Sequence, residues 1–320
     1  MTTGRDVLVG VDGSQASFAA LDWAVGEAAV KDWPLRLVCG YTLPRFANGS
    51  LDAAYASLSN DAVTKGAKGV LDEAVAHAKA KGVQASGEAK IGDAAGVLVE
   101  ESKQAGLAVV GTRGRGGFAE RLLGTVSSAL PVHSHCPTVV VPLGDRAKDG
   151  EAREFQPVRH IVVGVDGSKA AQVALRIAFD EALAWGAELT AISSMPMAAG
   201  SSLFAWAPGP VDQGAILDEL EAELERILQA EVANRTLPAD FKLNHHAMDG
   251  SASALMVEFS EQVDLLVVGS RGRGGFSGLL LGSTSQAVLH HAACPVMVVP
   301  ARIGDAAEAA SSEAAPPNDE

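Results

Sequence analysis

Short apolar runs alternate along the chain with longer segments in which apolar residues recur every three or four positions. In the first half, the apolar runs predict strands at 7–11, 35–39, 83–91, 107–110 and 138–141. The segment after the first strand, from Ser14 to about Val30, predicts a helix because its apolar residues have helical spacing. Strands that alternate with helices and are almost wholly apolar are typical of a parallel sheet covered on both faces.

Two kinds of strand depart from that simple pattern. The segment 83–91 alternates apolar and polar residues, which is typical of a half-exposed edge strand. The last strand of each half, 138–141 and 296–299, is apolar throughout, and an open edge of that kind would pair with another chain. We therefore expect these two strands to pair or pack as an internal pseudo-dimer. Whether whole chains also form homo-oligomers stays open.

The halves of the chain repeat each other. LVGVDGS at 8–14 recurs as VVGVDGS at 162–168, and CPTVVVP at 136–142 recurs as CPVMVVP at 294–300. Each unit is therefore about 150 residues long, an ordinary domain size. A polar stretch joins the units, and the composition after Pro300 cannot bury a core. The repeat predicts a first domain at 1–143, a linker at 144–157, a second domain at 158–300 and a disordered acidic tail at 301–320.

Composition narrows the choice of partners and location. The 320 residues carry a net charge of −14, which argues against nucleic acid as a partner because phosphate backbones require clustered Lys and Arg. No apolar run approaches the ~20 residues of a transmembrane helix, and no signal peptide is visible, so we expect a cytoplasmic protein. The three cysteines, Cys39, Cys136 and Cys294, form no C-x-x-C pair and are expected to be small buried residues.

A glycine-spaced cassette occurs once in each half, directly after an apolar strand. It reads GTRGRGGFAERLLGT at 111–125 and GSRGRGGFSGLLLGS at 269–283, so that both copies fit G-x2-G-x9-G-[ST]. Glycine lets the main chain approach a ligand closely, and a hydroxyl residue opening the next helix suits a phosphate held by backbone N–H groups. The candidate phosphate-binding residues are Gly111, Gly114, Gly124, Thr125 and Ser127, and Gly269, Gly272, Gly282, Ser283 and Ser285.

An aspartate follows the first strand of each half, as Asp12 and Asp166. Locally, Asp-Gly-Ser need be only a turn followed by a helix cap. In a doubly wound sheet, however, ligands bind at the carboxyl ends of the strands, where the strand order reverses. With the order 3-2-1-4-5, strands 1 and 4 are neighbours, so aspartate and cassette would line one crevice. A carboxylate that accepts hydrogen bonds from a ribose or an adenine amino group, opposite a phosphate cradle, predicts a nucleotide site.

Other residues leave alternatives open. Arg113, Arg115, Arg271 and Arg273 either reach a triphosphate or point to solvent and pair with local acids. The paired histidines have no convincing ligand spacing, so no metal site is expected. Long irregular segments at 41–60 and 193–214 are predicted after strand 2, whose backbone at Cys39 and Ile192 could frame an adenine edge.

Two rival nucleotide motifs are excluded. Residues 114–119 fit G-x-G-x-x-A, but they do not follow the first strand, and no acidic residue lies about 20 positions on. There is no G-x4-G-K-[ST] sequence of the kind that serves classical NTP hydrolysis.

The aspartates and cassettes make a family recognisable. The chain resembles the universal stress proteins over about 1–142 and 158–300, and its length resembles the tandem members typical of mycobacteria. The resemblance implies a sheet in the order 3-2-1-4-5 in each domain, hence an α/β fold of two tandem, doubly wound, parallel five-stranded sheets with helices on both faces. It also implies pairing through the last strands. The cassettes match the ATP-binding subclass of the family, and Asp12 and Asp166 match its acidic residue after strand 1.

Three functions follow as hypotheses. The first is a regulatory or sensor protein of the stress or dormancy response, with one ATP site in each domain and no dedicated catalytic centre. The second is a slow ATPase or phosphotransferase, for which Asp12 and Asp166 are the candidates to order water. The third is a protein-interaction module with vestigial pockets. Magnesium can accompany a triphosphate, but the sequence names no ligands for it.

Overall fold

The chain folds as two compact units, residues 1–156 and 157–320. The computed structural model describes residues 4–43, 52–114, 123–143, 155–197, 212–273 and 280–303, with only the backbone for 52–59. Most of the predicted linker, 144–154, and of the predicted tail, from 304 onward, lies outside the described residues.

The first unit alternates strands and helices, and its strands are all parallel. Hydrogen-bonded neighbours follow the order β3-β2-β1-β4-β5. The elements are β1 (Val7–Gly10), α1 (Gln15–Lys31), β2 (Leu35–Tyr41), α2 (Asp52–Ala80), β3 (Ala85–Ile91), α3 (Ala94–Glu101), β4 (Leu107–Gly111), α4 (Thr125–His133) and β5 (Thr138–Val141).

The second unit repeats this arrangement, with neighbours in the order β8-β7-β6-β9-β10. The α/β architecture with parallel strands is therefore confirmed, and within each unit the strand neighbours follow 3-2-1-4-5. The elements are β6 (His160–Gly164), α5 (Lys169–Trp185), β7 (Glu188–Met195), α6 (Gln213–Val232), β8 (Leu243–Asp249), α7 (Ala252–Phe259), β9 (Leu265–Gly269), α8 (Ser283–His291) and β10 (Val296–Val299).

The core of each unit lies along its central strands. In β1, Leu8 and Val9 have no exposed surface, although their side chains point to opposite sides of the strand. Both sides of the sheet are therefore covered at this point. The register places Val9 beside Leu37 of β2 and Val109 of β4. This pairing brings the carboxyl ends of β1 and β4 together, where the two sequence motifs begin.

Strand 2 and the segment after it differ from the sequence prediction. β2 continues to Tyr41 and β7 to Met195, because the third strand of each unit pairs with them along that whole length. The third strand itself begins later than predicted, at Ala85 in the first unit. The irregular segment predicted at 41–60 is wrong from Asp52 onward, where an alanine-rich stretch forms the start of α2. In the second unit α6 begins at Gln213, and 198–211 lie outside the described residues.

Candidate functional site

The turn between the first strand and the first helix is built in the same way in both units. The backbone N–H of Ser14 donates to Asp12 Oδ1 at 3.0 Å, and the Ser14 hydroxyl caps α1 by accepting from Ser17 N at 3.2 Å. Gly13 between them has φ +78°, which glycine adopts without strain. The turn and helix cap that the sequence predicts are thus confirmed, and they hold the Asp12 carboxylate in one orientation.

Asp166 repeats this geometry in the second unit. Its Oδ1 accepts from Ser168 N at 2.9 Å, Gly167 has φ +75°, and Ser168 caps α5 by accepting from Ala171 N at 3.2 Å. The side chain turns towards the cassette, since its Oδ2 accepts from the backbone N–H of Arg273 at 2.8 Å. In the first unit, the Ser14 hydroxyl donates to the carbonyl of Arg113 at 3.4 Å. Turn and cassette therefore meet in both units.

The three glycines that the pattern G-x2-G-x9-G-[ST] fixes in each cassette serve different purposes. A Cβ on the first, Gly111, would overlap the carbonyl of Ala16, and on Gly269 it would lie 3.0 Å from the carbonyl carbon of Ala170. These first glycines let the N-terminal turn of α1 or α5 pack against the end of the strand. The absence of a side chain there is accounted for by helix packing, although both residues also line the cavities described below.

The second glycine lies against the aspartate. A Cβ on Gly272 would be 2.5 Å from Asp166 Oδ2, and a Cβ on Gly114 would overlap Asp12 Oδ2 in the same way. The third glycine is different, because a Cβ on Gly124 would meet no atom closer than 3.5 Å. Only this last position has room for a side chain.

Helices α4 and α8 begin without a capping side chain. Their N-cap residues are Gly124 and Gly282, and neither helix start has a side-chain cap hydrogen bond, whereas α1 and α5 are capped by serines. The first N–H groups of a helix have no partner within the helix, and the helix dipole makes that end electropositive. An uncapped start that follows glycine is a local site for an anion.

Ser127 and Ser285, one turn into these helices, are buried. The Ser127 hydroxyl donates to Thr112 O at 2.8 Å, and the Ser285 hydroxyl donates to Gly269 O at 2.7 Å. A hydroxyl has one proton, and here a backbone carbonyl accepts it. Through these hydrogen bonds, Ser127 holds the start of α4 at the end of β4, and Ser285 holds the start of α8 at the end of β9.

A cavity opens over the carboxyl ends of the central strands in each unit. The cavity of the first unit measures about 580 Å³ and that of the second about 430 Å³. Each is lined by every candidate residue of its unit: Asp12, Gly111, Gly114, Gly124, Thr125 and Ser127 in the first, and Asp166, Gly269, Gly272, Gly282, Ser283 and Ser285 in the second.

Among the remaining wall residues, Ile192 of the second cavity is one that the sequence predicts at the adenine edge, whereas the others are not predicted. Leu98 of α3 and Met256 of α7 form apolar walls, and Gly40 and Ser194 line the cavities at the second strand. Cys39, which the sequence predicts at this edge, is not among the residues that line the first cavity, because alternate peptide groups of a strand face opposite neighbours. Because Val11 N donates to Val38 O at 3.0 Å, the next peptide group directed to that side belongs to Gly40. The alternating direction of peptide groups along strand 2 was the signal that could have identified Gly40.

Three of the cassette arginines line the cavities. Arg113 lines the first, Arg271 and Arg273 line the second, and Arg115 lies outside the described residues. The guanidinium of Arg273 covers Gly167, on the turn that also carries Asp166. Arg273 therefore contacts this turn through both its backbone and its side chain.

Other kinds of site receive no support from the described ranges. Within them, no group of three His, Cys, Asp or Glu side chains is arranged to hold a metal ion, and no helix has the length and apolar character to cross a membrane. Cys39, Cys136 and Cys294 are all buried, as predicted. Burial raises the pKa of the Cys136 thiol to about 12, so this thiol is protonated at neutral pH.

Comparison with known proteins identifies the family. The profile of the Universal stress protein family matches residues 4–142 and again 157–300. The chain belongs to this family. A universal stress protein of Mycobacterium tuberculosis is 32% identical over 321 aligned residues, which cover 92% of this chain and 95% of the relative. A universal stress protein of Mycolicibacterium smegmatis is 33% identical over 310 residues, covering 93% and 97%.

A solved structure shares the fold. The universal stress protein of Archaeoglobus fulgidus superposes with a TM-score of 0.66 at 22% identity, covering 93% of this chain and 99% of that protein. Tandem universal stress protein domains are therefore the architecture of this chain.

Proposed function

We propose that each domain binds one adenine nucleotide, ATP foremost, and that the protein acts as a regulatory or sensor protein of the stress or dormancy response. The observation that carries the proposal is the uncapped helix start after Gly124 and Gly282, placed over a cavity beside a glycine cassette in both units. A build of this kind suits a ligand with several phosphates.

The phosphates would lie at the starts of α4 and α8. Backbone N–H groups there supply hydrogen bonds without a counter-charge, which explains how a chain with net charge −14 can hold a polyanion. Ser127 and Ser285 would keep the helix start in place. Arg113 and Arg271, which line the cavities, would add positive charge near the outer phosphates.

The base would lie at the opposite end of each cavity. A purine has apolar faces and a polar edge, and the cavity offers Leu98 or Met256 for a face and the strand at Gly40 or Ser194 for an edge. The volumes of about 580 and 430 Å³ fall within the range of ~300–1,000 Å³ that is common for small-molecule sites. Magnesium, where it accompanies the triphosphate, would be held largely by phosphate oxygens and water.

The enzymatic alternative has weaker support. Asp12 and Asp166 are the only residues that sequence analysis offers to order water. Asp166 already accepts backbone N–H bonds with both carboxylate oxygens, and Asp12 accepts one with Oδ1. A carboxylate engaged in this way is better suited to holding structure than to activating water.

A negative charge introduced at the third glycine of each cassette tests the proposed function. Aspartate is a strong N-cap, so Gly124→Asp with Gly282→Asp should fold at least as well as the wild type while placing a negative charge where phosphate would bind. We expect nucleotide affinity, measured by equilibrium dialysis with radiolabelled ATP, to fall by more than a hundredfold.

Two matched variants separate charge from shape. Asparagine at both positions caps the helices without charge and should weaken ATP binding less than aspartate. Alanine adds only a Cβ, which meets no close atom, and should leave binding nearly unchanged. Failure of the wild-type protein to bind ATP at millimolar concentration would overturn the proposed function.

A further inference from the structure

We propose that Asp12 and Asp166 are positioning residues that hold the glycine cassette of their own unit, and that Gly114 and Gly272 are glycines because of these carboxylates. The effect of the two aspartates on ligand affinity rests on the proposed function, whereas their positioning of the cassette does not. This assignment differs from the one that the sequence suggests, in which the carboxylate contacts a ribose or an adenine amino group.

The carboxylate of Asp166 bonds to two segments of the chain. Its two oxygens accept from two separate segments, Ser168 N at 2.9 Å and Arg273 N at 2.8 Å. Ser168 belongs to the turn after β6, and Arg273 belongs to the loop between β9 and α8. The carboxylate is therefore a bridge between two loops that are far apart in sequence.

The second glycine of the cassette has no space for a side chain. A Cβ on Gly272 would lie 2.5 Å from Asp166 Oδ2. The end of a side chain can normally move away from such a contact. Here it cannot do so without giving up the hydrogen bond from Arg273 N, because both oxygens are engaged. The glycine is thus required by the protein's own carboxylate.

The same relation holds in the first unit. Asp12 Oδ1 accepts from Ser14 N at 3.0 Å, and its Oδ2 occupies the place where a Cβ of Gly114 would be. Gly124 and Gly282, by contrast, have no atom that would exclude a Cβ. The aspartate motif and the first part of the cassette are consequently one coupled element, whereas the third glycine is independent of it.

The positioning role is tested first without any nucleotide. Hydrogen exchange at the Arg273 amide should become at least tenfold faster in Asp166→Ala than in the wild type, because its acceptor is removed. The matched control is the amide of Ser270, which donates to Val299 O at 2.8 Å and should be unaffected. Asp166→Asn keeps the size of the side chain and serves if the alanine variant does not fold. Unchanged exchange at Arg273 would overturn the proposal.

The coupling is tested with ATP in a Gly124→Asp background, which leaves only the second site. Gly272→Ala should weaken ATP binding more than tenfold when Asp166 is present, and less than threefold when Asp166 is already alanine. Additive losses in this double-mutant cycle would show that the glycine serves the ligand directly and would contradict the proposal.

A ligand series distinguishes positioning from ribose contact. If Asp166 positions the cassette, Asp166→Ala should weaken ATP, 2′-deoxy-ATP and inorganic tripolyphosphate by similar factors. A loss confined to ATP would overturn the proposal in favour of a 2′-hydroxyl contact, and a loss confined to the two nucleotides would overturn it in favour of the 3′-hydroxyl or the adenine. If the wild-type second site binds none of the three, the proposed function fails, and the amide exchange still decides the positioning role.

Discussion

The two cavities share one end and differ at the other. The cassette, the aspartate and the uncapped helix start are alike in both units. In each unit, a Cβ added to the second glycine would overlap the carboxylate of the aspartate. At the far end, Gly40 and Leu98 in the first unit are replaced by Ser194 and Met256 in the second. The end proposed to hold phosphates depends on backbone groups and close contacts that allow little variation. The end proposed to hold the base also includes side chains of α3 and α7, and these differ between the units while the fold stays the same.

The largest expected effect concerns the first glycine of each cassette. Gly111→Ala should cost about 2–3 kcal/mol of unfolding free energy, because its Cβ would overlap the Ala16 carbonyl on the backbone of α1. Gly269→Ala should cost about 1 kcal/mol, since the corresponding distances are 3.0–3.1 Å. Urea denaturation of the two single variants measures the difference. Equal losses would mean that strand and helix pack equally closely in both units.

The difference between the two cavities at the proposed base end should make them differ in their affinity for nucleotides with an enlarged base. We expect an ATP analogue with an enlarged base, such as 1,N6-etheno-ATP, to bind the larger first cavity about tenfold more tightly than the second, a difference of about 1.4 kcal/mol. Fluorescence titration of Gly282→Asp and Gly124→Asp isolates the first and the second site in turn.

A substitution in strand 2 probes the same difference. Ser194→Gly, in the background that leaves the second site, should recover part of the tenfold factor. The reverse substitution is unsuitable, because a Cβ on Gly40 would lie 2.7 Å from Ala94 Cα. Equal affinity of the two sites for the enlarged base would remove the proposed basis for their divergence.

The smallest expected effect is that the Cys136 thiol of the folded protein does not react with a thiol reagent. With a pKa raised to about 12 by burial, the Cys136 thiol stays protonated well above neutral pH, and the thiolate is the reactive form. An aromatic disulfide reagent at pH 8 should leave Cys136 unmodified for hours in the folded protein and label it rapidly in denaturant. Rapid labelling of native Cys136, located by mass spectrometry, would contradict the buried environment.

The common end of the cavities could be predicted from the sequence, whereas the variable end could be predicted only in part, at Ile192. Strand order follows from the α/β pattern and the family resemblance, and that order brings Asp12 beside the cassette. Leu98 and Met256 could not be identified, because an apolar residue on a helix is equally expected in a core. Ser127 shows a second limit. Its position one turn into α4 was predictable, but the direction in which its hydroxyl donates depends on the end of β4.

The glycine at the start of α4 and α8 also has a consequence for the lifetime of the protein. A helix without a capping side chain lacks about 1 kcal/mol that serine or aspartate would contribute. An anion bound there would supply the missing hydrogen bonds and, by mass action, would shift the folding equilibrium towards the native state. Resistance of the chain to proteolysis would then rise and fall with the concentration of its ligand, so that the amount of protein itself would record the nucleotide supply.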